Sequence, residues 1–225
     1  MSALTGSALV RDLEKRFVTA TQHIETDARA YELLRPDNAD ALITEEDFVR
    51  DGRLPYWADV WPSSRLLASR VKEDSGRGQR LLELGCGVGI VSIAALSAGY
   101  DVLATDYYED ALLFTRANAW RALGREPEVR LVDWRHWPED LGIFDRVVAS
   151  DVLYEPEYAS LVAQAIDRAL SATGTALIAD PGRIACEEFL QRCEEKHLKM
   201  VTQMDHPYTD GEIKQTIVIY ELKRR

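Results

Sequence analysis

From residue 80 onward, short β-rich runs alternate with segments of helical spacing, and this alternation constrains the fold more than any other feature of the chain. Parallel strands are joined by crossover connections that are usually helices, so the pattern predicts an α/β fold, a mostly parallel sheet with helices on both faces. The runs at 200–204 and 216–220 have no clear helix between them and predict an antiparallel pair at the sheet edge. The other predicted strands are residues 80–84, 101–105, 129–132, 146–150 and 175–179, and the predicted helices are residues 90–98, 109–123, 158–170 and 186–197.

The N-terminal part of the chain lacks this regular alternation. Helical spacing at 4–17, a short β-rich run at 31–34 and a helical pattern at 39–48 are the elements that it predicts. We therefore expect residues 1–55 to form a helical or extended segment that packs on the core. Residues 56–225 are expected to form the main domain.

Composition and charge narrow the class of protein. Of the 225 residues, 46% are hydrophobic and 29% are charged, which is typical of a globular chain in water. No run of about 18 apolar residues is present, and charged residues between Arg11 and Arg16 interrupt the N-terminal apolar pattern, so we predict neither a membrane helix nor a secretory signal. The net charge of −11 disfavours nucleic acid or an anionic membrane as a partner and favours a basic partner.

The cysteines indicate a reducing compartment. Cys86, Cys186 and Cys193 form no CxxC pair, and only 4 histidines are available as further ligands. A disulfide scaffold or a structural zinc site is therefore not expected. We predict free thiols, no bound metal and a cytoplasmic location.

A glycine cluster follows the first strand of the alternating region. Residues 83–89 read Glu-Leu-Gly-Cys-Gly-Val-Gly and lead into a predicted helix. Glycines at such a turn let the backbone approach a ligand closely. A dinucleotide fingerprint would need glycine where Ile90 stands, and no Gly-Lys-Ser/Thr follows, so neither that fingerprint nor a P-loop fits. A strand-to-helix turn without a ligand is the alternative.

The acidic-x-Gly-x-Gly-x-Gly pattern resembles the first motif of the seven-strand methyltransferases that use S-adenosylmethionine (SAM). This resemblance implies a Rossmann-like, seven-stranded, mostly parallel sheet with helices on both faces and an antiparallel edge strand. It also implies SAM as the cofactor, S-adenosylhomocysteine (SAH) as the product, and no metal. The cofactor-binding residues that it implies are Trp61, Glu83, Gly85, Cys86, Gly87, Gly89, Asp133, Trp134 and Ser150.

Acidic residues follow two later strands. Asp106 lies about 20 residues after the glycine cluster, where a carboxylate can accept hydrogen bonds from ribose hydroxyls; a helix cap is the alternative. Asp133 and Trp134 end the third strand, which is the place that holds adenine in the resembled fold. The carboxylate can accept from the adenine amino group and the indole can cover the ring, unless Trp134 only packs under a loop.

Three further segments narrow the resemblance. Residues 151–154 read Asp-Val-Leu-Tyr after the fourth strand, residues 55–62 end in Trp-Pro, and residues 180–183 read Asp-Pro-Gly-Arg after the fifth strand. Together they resemble a lysine methyltransferase family within the seven-strand class, and most of all the branch that contains the lysine methyltransferase of the electron-transfer flavoprotein β subunit. The resemblance spans about residues 54–220. It implies a protein partner that carries the target lysine, with that β subunit or a ribosomal protein as candidates.

Asp151 and Tyr154 are the predicted catalytic residues. A lysine amine, with an unperturbed pKa of about 10.4, must lose a proton before it attacks, and Asp151 can orient the amine and assist that loss. The Tyr154 ring can meet a methylated ammonium. Asp151 has the alternative role of a turn cap, and Tyr154 that of a packing residue. For Trp57 and Trp61 the alternative role is packing in the core. Arg183 either binds an acidic group of the partner or caps a helix.

Other functions compete with protein-lysine methylation. A small-molecule N-methyltransferase would share the same core, and the intact motif argues against a non-catalytic SAM-binding module. A nucleotide-dependent oxidoreductase is disfavoured by Ile90. An RNA methyltransferase is disfavoured by the net charge of −11 and because residues 151–154 lack the Asn-Pro-Pro-Tyr or Asp-Pro-Pro-Tyr of base-amino methyltransferases. The sequence therefore predicts transfer of a methyl group from SAM to a protein lysine.

Overall fold

The computed structural model describes residues 4–26, 29–43 and 54–225. The strands in these ranges are β1 (Thr19–Glu25), β2 (Ala30–Pro36), β3 (Arg80–Leu84), β4 (Asp101–Asp106), β5 (Glu128–Leu131), β6 (Phe144–Ser150), β7 (Leu170–Asp180), β8 (Leu198–Asp210) and β9 (Ile213–Arg224). The α-helices are α1 (Gly6–Arg16), α2 (Pro62–Glu73), α3 (Ile90–Ala98), α4 (Glu109–Leu123), α5 (Tyr158–Ala169) and α6 (Cys186–Glu195).

The strands from β3 to β9 form one seven-stranded sheet in the order β5-β4-β3-β6-β7-β9-β8. Within this order, the five strands β5-β4-β3-β6-β7 are parallel to their neighbours. β9 is antiparallel to both β7 and β8. The predicted sheet is therefore confirmed, including its antiparallel pair at one edge.

Side chains on the two faces of the sheet enter different apolar clusters. Leu81 of β3 belongs to the cluster that holds Ile93 of α3 and Phe114 of α4. The next residue, Leu82, belongs to the cluster that holds Val162 of α5. Because successive side chains of a strand point to opposite faces, helices cover both faces of the sheet, as predicted.

The last strands are longer than the sequence pattern predicts. β7 begins at Leu170, and β8 and β9 pair with each other along their whole lengths. Exposed polar side chains such as Thr202 and Gln203 continue β8 beyond its apolar residues, so a search for apolar runs misses much of this hairpin. The pairing register of β8 also shifts between Met200 and Thr202, which marks an irregularity in the outermost strand.

α1 and a hairpin of β1 and β2 precede the main sheet. The two strands are antiparallel and form a separate two-stranded sheet. The run predicted at 31–34 lies within β2, whereas β1 was not predicted because Ile24 is its one buried residue. Leu9 and Leu13 of α1 belong to the same apolar cluster as Phe114, so this part of the chain packs against α4.

The helices before residue 80 differ from the prediction at two places. Within the described residues, the helix predicted at 39–48 is a 3₁₀ turn at Asp40–Leu42, and residues 44–48 lie outside the described part. α2 was not predicted, although proline is well suited to the first turn of a helix and Pro62 begins this one. Trp61, which precedes Pro62, has an extended backbone with φ −75° and ψ 147°.

Three further predictions concern membranes, thiols and metals. None of the helices in the described part is long and apolar enough to cross a membrane. Cys86, Cys186 and Cys193 are buried free thiols. The described residues contain no cluster of three or more histidine, cysteine, aspartate or glutamate side chains suited to a metal ion.

Candidate active site

A cavity open to solvent, with about 900 Å³ of empty space including its mouth, lies at the carboxyl ends of β3, β4 and β6. Ligands of open α/β sheets bind outside these strand ends. The cavity brings together most of the residues that the sequence singled out. The predicted residues that line it are Trp61, Gly85, Cys86, Gly87, Gly89, Asp106, Trp134, Ser150, Asp151 and Tyr154.

The glycine turn leaves no room for side chains at two positions. A Cβ added at Gly87 would lie 3.0 Å from the carbonyl oxygen of Trp57, and one added at Gly89 would lie 2.8 Å from Thr115 Oγ1. Both glycines also have positive φ, 53° and 91°, which other residues rarely adopt. Thr115 Oγ1 donates to the carbonyl oxygen of Gly87 at 2.9 Å, so α4 holds the turn in place.

Asp106 ties the end of β4 to this glycine turn. Its Oδ2 accepts a hydrogen bond from the Gly87 backbone N–H at 2.9 Å, and its Oδ1 accepts from the Tyr108 N–H at 3.0 Å. The residue lines the cavity but is only 7% exposed. The carboxylate therefore organises two backbone segments of the cavity wall.

Glu83 and Asp133 are the two predicted binding residues that lie outside the cavity lining. Glu83 is buried beside Ser92, whose hydroxyl is its hydrogen-bond partner, and burial raises the pKa of Glu83 to about 8. Burial also acts on Asp133, but hydrogen bonds from Arg135 and His136 outweigh it and lower the pKa of Asp133 to about 2. The side chain of Asp133 caps the 3₁₀ turn Trp134–His136.

Four aromatic contacts connect the rings along one wall of the cavity. Trp134 meets Tyr158 at a centroid distance of 5.5 Å, and Tyr158 meets Tyr154 at 5.1 Å. Tyr154 meets Tyr56 at 5.2 Å, and Tyr56 meets Trp61 at 5.9 Å. All of these contacts are edge-to-face, a favoured geometry for aromatic pairs.

A site role for Tyr56 or Tyr158 was not predicted from the sequence. Both residues line the cavity beside Tyr154. Tyr56 stands within the segment 55–62 that resembles the family, and Tyr158 is four residues beyond Tyr154. Those two signals could have identified them.

Trp57 lies under the glycine turn. It is buried, and its ring packs 5.6 Å from Phe114 and 6.5 Å from Tyr108. Its carbonyl oxygen is the atom that a side chain at Gly87 would meet. The segment before α2 therefore supports the turn from one side, and both Trp57 and Trp61 line the cavity.

Asp151 is held from both sides. Its Oδ2 accepts from Ser63 Oγ at 2.9 Å, and its Oδ1 accepts from Arg183 Nε at 2.7 Å. The residue has a φ of 58°, which is uncommon for a non-glycine residue and often marks a functional position. Its backbone N–H donates to Ala179 at 2.9 Å, so β7 fixes this conformation.

The sheet order and the cavity define the class of protein as a SAM-dependent methyltransferase fold. The seven-stranded sheet has one antiparallel strand, β9, inserted beside its edge, and the glycine turn follows β3. A TehB-like SAM-dependent methyltransferase from Corynebacterium glutamicum superposes with a TM-score of 0.57 at 20% identity, over 80% of this chain and 94% of that chain. This likeness establishes the fold.

The chain belongs to the lysine methyltransferase family, whose model matches residues 41–204. The electron transfer flavoprotein beta subunit lysine methyltransferase of Xenopus laevis is 32% identical over 157 residues, which cover 66% of this chain and 60% of that protein. A protein N-lysine methyltransferase of Danio rerio is 30% identical over 135 residues, or 56% of this chain and 61% of that protein. The matches thus span less than two thirds of these relatives. The predicted class and family are confirmed.

Proposed function

We propose that this chain transfers a methyl group from SAM to the side-chain amine of a lysine in a protein. The observation that carries the proposal is that one cavity joins the glycine turn to the segment with Asp151 and Tyr154. A single cavity can therefore hold a methyl donor against the glycines and an acceptor amine against a carboxylate and aromatic rings. Membership of the lysine methyltransferase family supports the same reaction.

The residues of the cavity fit SAM on the evidence of the glycine turn. Side chains at Gly87 and Gly89 would collide with Trp57 and Thr115, so only glycine lets the turn pack against these residues while its backbone lines the cavity. We propose direct cofactor contacts for the cavity-lining residues and a supporting role for Glu83 and Asp133. The proposed contacts are Trp61, Gly85, Cys86, Gly87, Gly89, Asp106, Trp134 and Ser150.

The acceptor side is proposed to consist of Asp151 and the neighbouring tyrosines. When bound, SAM would supply a methyl group on its sulfonium. The N–C bond to a neutral lysine amine would form in line with the S–C bond as that bond breaks, and SAH would leave. Asp151 orients the lysine amine and assists loss of its proton, which is needed because an unperturbed lysine has a pKa of about 10.4. The faces of Tyr154 and Tyr56 suit an ammonium or a methylated ammonium in the same place. Catalysis then comes mainly from positioning.

Two protein substrates are proposed for testing. The Xenopus relative is named for the electron transfer flavoprotein beta subunit, so that subunit is the first candidate. A ribosomal protein is the second candidate, since the net charge of −11 favours a basic partner. The alternative acceptor is a small molecule with an amine, and a non-catalytic SAM-binding role is the third possibility.

Incubation with radiolabelled SAM distinguishes these functions. The purified protein is added to a lysate and to the two purified candidate substrates, and the label is mapped to a residue. A labelled lysine in a protein supports the proposal. Label in the small-molecule fraction alone favours the small-molecule enzyme, and no transfer despite SAM binding favours the binding module.

A calorimetric titration tests the cofactor separately. We expect SAM and SAH to bind and NAD not to bind, because Ile90 stands where a dinucleotide fingerprint has glycine. Binding of NAD in preference to SAM would contradict the proposed cofactor.

A further inference from the structure

The turn after β7 carries an arginine, Arg183, whose backbone is firmly held. Asp180 Oδ1 accepts hydrogen bonds from the N–H groups of Gly182, at 2.7 Å, and Arg183, at 2.6 Å. The backbone N–H of Ala185 donates to the carbonyl oxygen of Leu153 at 3.2 Å. The turn is therefore attached both to the end of its own strand and to the segment that contains the proposed catalytic residues.

The side chain of Arg183 contacts two residues of the cavity wall at once. Its Nε donates to Asp151 Oδ1 at 2.7 Å, and its guanidinium carbon lies 5.2 Å from the ring centroid of Trp61. Asp151 and Trp61 line the cavity, whereas Arg183 is absent from the described residues of that lining. The guanidinium thus supports both residues from outside the space where ligands would bind.

Arginine suits this arrangement because its planar guanidinium can stack on an aromatic ring while one edge donates to a carboxylate. The Asp151 side chain is 3% exposed, so solvent contributes little to holding its charge, and that of Arg183 is 35% exposed. Ser63 fixes the other oxygen of Asp151. Because each oxygen of Asp151 accepts from one donor, the carboxylate plane has one orientation. The contact between the guanidinium and the Trp61 ring fixes the position of Trp61 relative to that carboxylate.

We infer that Arg183 is a positioning residue for methyl transfer: it fixes the Asp151 carboxylate relative to Trp61, and so fixes the place where the acceptor amine meets the cofactor. This inference rests on the proposed function, in which Asp151 orients the amine. Without the guanidinium, Ser63 is the remaining side-chain donor to this carboxylate among the described residues, and the carboxylate can then turn away from the reacting amine. Displacement of such a group by about 1 Å can cost about 10²-fold in rate.

The test compares Arg183→Met and Arg183→Lys with a control, Arg192→Met. Methionine keeps the apolar contact with Trp61 but removes the donor, and lysine keeps a charge but not the planar group. Arg192 is an exposed arginine of α6 that pairs with Glu188 and Glu195, away from the cavity lining. Turnover number and KM for the lysine-bearing protein are measured at saturating SAM, and thermal unfolding verifies folding.

The expected result is a fall in turnover number by up to about 10²-fold in Arg183→Met, with a much smaller change in KM and in SAM affinity. Arg183→Lys should recover part of the turnover, and Arg192→Met should match the wild type. Because Arg183 acts through Asp151, adding Arg183→Met to Asp151→Asn should slow the reaction little further. A purely structural effect would instead multiply the two losses.

Normal turnover in Arg183→Met, or independent losses in the double variant, would overturn the inference while leaving the proposed function intact. If Arg183→Met does not fold, Arg183→Lys decides, and wild-type turnover in that variant overturns the inference. A wild-type protein that methylates no lysine overturns the proposed function and the inference together.

Discussion

Asn118 holds both backbone groups of Leu34. Its Oδ1 accepts from the Leu34 N–H at 2.7 Å, and its Nδ2 donates to the Leu34 carbonyl oxygen at 2.8 Å. The same Nδ2 donates to the carbonyl oxygen of Val88 at 2.9 Å, within the glycine turn. One buried amide on α4 therefore connects the N-terminal hairpin to the proposed cofactor site.

Replacing this amide is expected to affect stability and cofactor binding together. Asn118→Leu would leave three buried backbone groups without their partner, each of which costs about 1–3 kcal/mol. We expect the free energy of unfolding in urea to fall by at least about 2 kcal/mol, and SAH to bind more weakly in calorimetric titration. The exposed Arg192 of α6, which pairs with Glu188 and Glu195, provides a control as Arg192→Gln. Loss of stability without any change in SAH affinity would show that the hairpin and the turn are not coupled.

Glycine substitutions separate backbone strain from a steric clash. Gly78→Ala places a side chain at φ 78° in open space and should cost about 1–2 kcal/mol. Gly89→Ala has the same strain, and its Cβ would also lie 2.9 Å from Thr115 Cα, a backbone atom that cannot move aside easily. We expect Gly89→Ala to lower the melting temperature further than Gly78→Ala and to abolish SAM binding. Equal melting temperatures of the two variants and retained SAM binding would show that a Cβ at position 89 does not clash with Thr115.

Asp106→Ala should weaken SAM binding. The carboxylate is proposed to accept hydrogen bonds from the cofactor in addition to those from Gly87 and Tyr108. Hydrogen bonds to a charged group contribute about 1.5–3 kcal/mol, so the Kd should rise by about 10- to 150-fold. Calorimetric titration measures this change. An unchanged Kd in a folded variant would show that Asp106 holds the backbone of Gly87 and Tyr108 and does not bind the cofactor.

Asp151→Asn separates chemistry from binding. The amide keeps the shape of the side chain but loses the charge that faces a nitrogen gaining positive charge in the transition state. We expect turnover to fall by about 10²-fold or more, with most of the SAM affinity retained. Single-turnover methylation at saturating SAM is the measurement, with Asp140→Asn, an exposed aspartate, as the control. Near-normal turnover would remove Asp151 from the catalytic residues.

The ring of Tyr154 is expected to matter more than its hydroxyl. Tyr154→Phe keeps the aromatic face that lines the cavity, whereas Tyr154→Ala removes it. Turnover should therefore fall less in the phenylalanine variant. The same single-turnover assay compares the two, and equal losses would assign the effect to the hydroxyl group.

Glu83 should make the protein less stable as the pH rises. Its pKa is raised by burial from 4.5 to about 8, so the folded state keeps a proton that the unfolded state has already lost. Stability from this group is thus full below pH 4.5 and is lost as the pH rises towards 8 and beyond, with a slope of at most about 1.4 kcal/mol per pH unit. Urea unfolding at several pH values should show a flatter profile for Glu83→Gln than for the wild type. The exposed Glu128, as Glu128→Gln, should retain the wild-type profile.

The parts predicted from sequence are those set by local pattern. The strand β3, the glycine turn and Asp106 lie close together in the sequence, and each has a residue type that its backbone or chemistry requires. The partners of Asp151 could not be predicted in the same way. Ser63 is 88 positions away and Arg183 is 32 away, so their contact with Asp151 depends on how the whole sheet is assembled.

Two elements were missed for a different reason. β1 has a single buried residue, Ile24, and so lacks the apolar alternation that identifies a strand. The outer part of β8 is similarly polar and exposed. Both strands form through backbone pairing with a partner strand, which side-chain pattern alone does not reveal.

The irregular pairing of β8 has a consequence for aggregation. β8 is the last strand of the main sheet, and an exposed edge strand offers unpaired backbone groups to a second chain. The register shift between Met200 and Thr202, the exposed charge of Asp205 and the missing N–H of Pro207 all oppose such pairing. The outer hairpin is therefore a poor template for sheet-to-sheet growth, even though it lengthens the sheet at its open side.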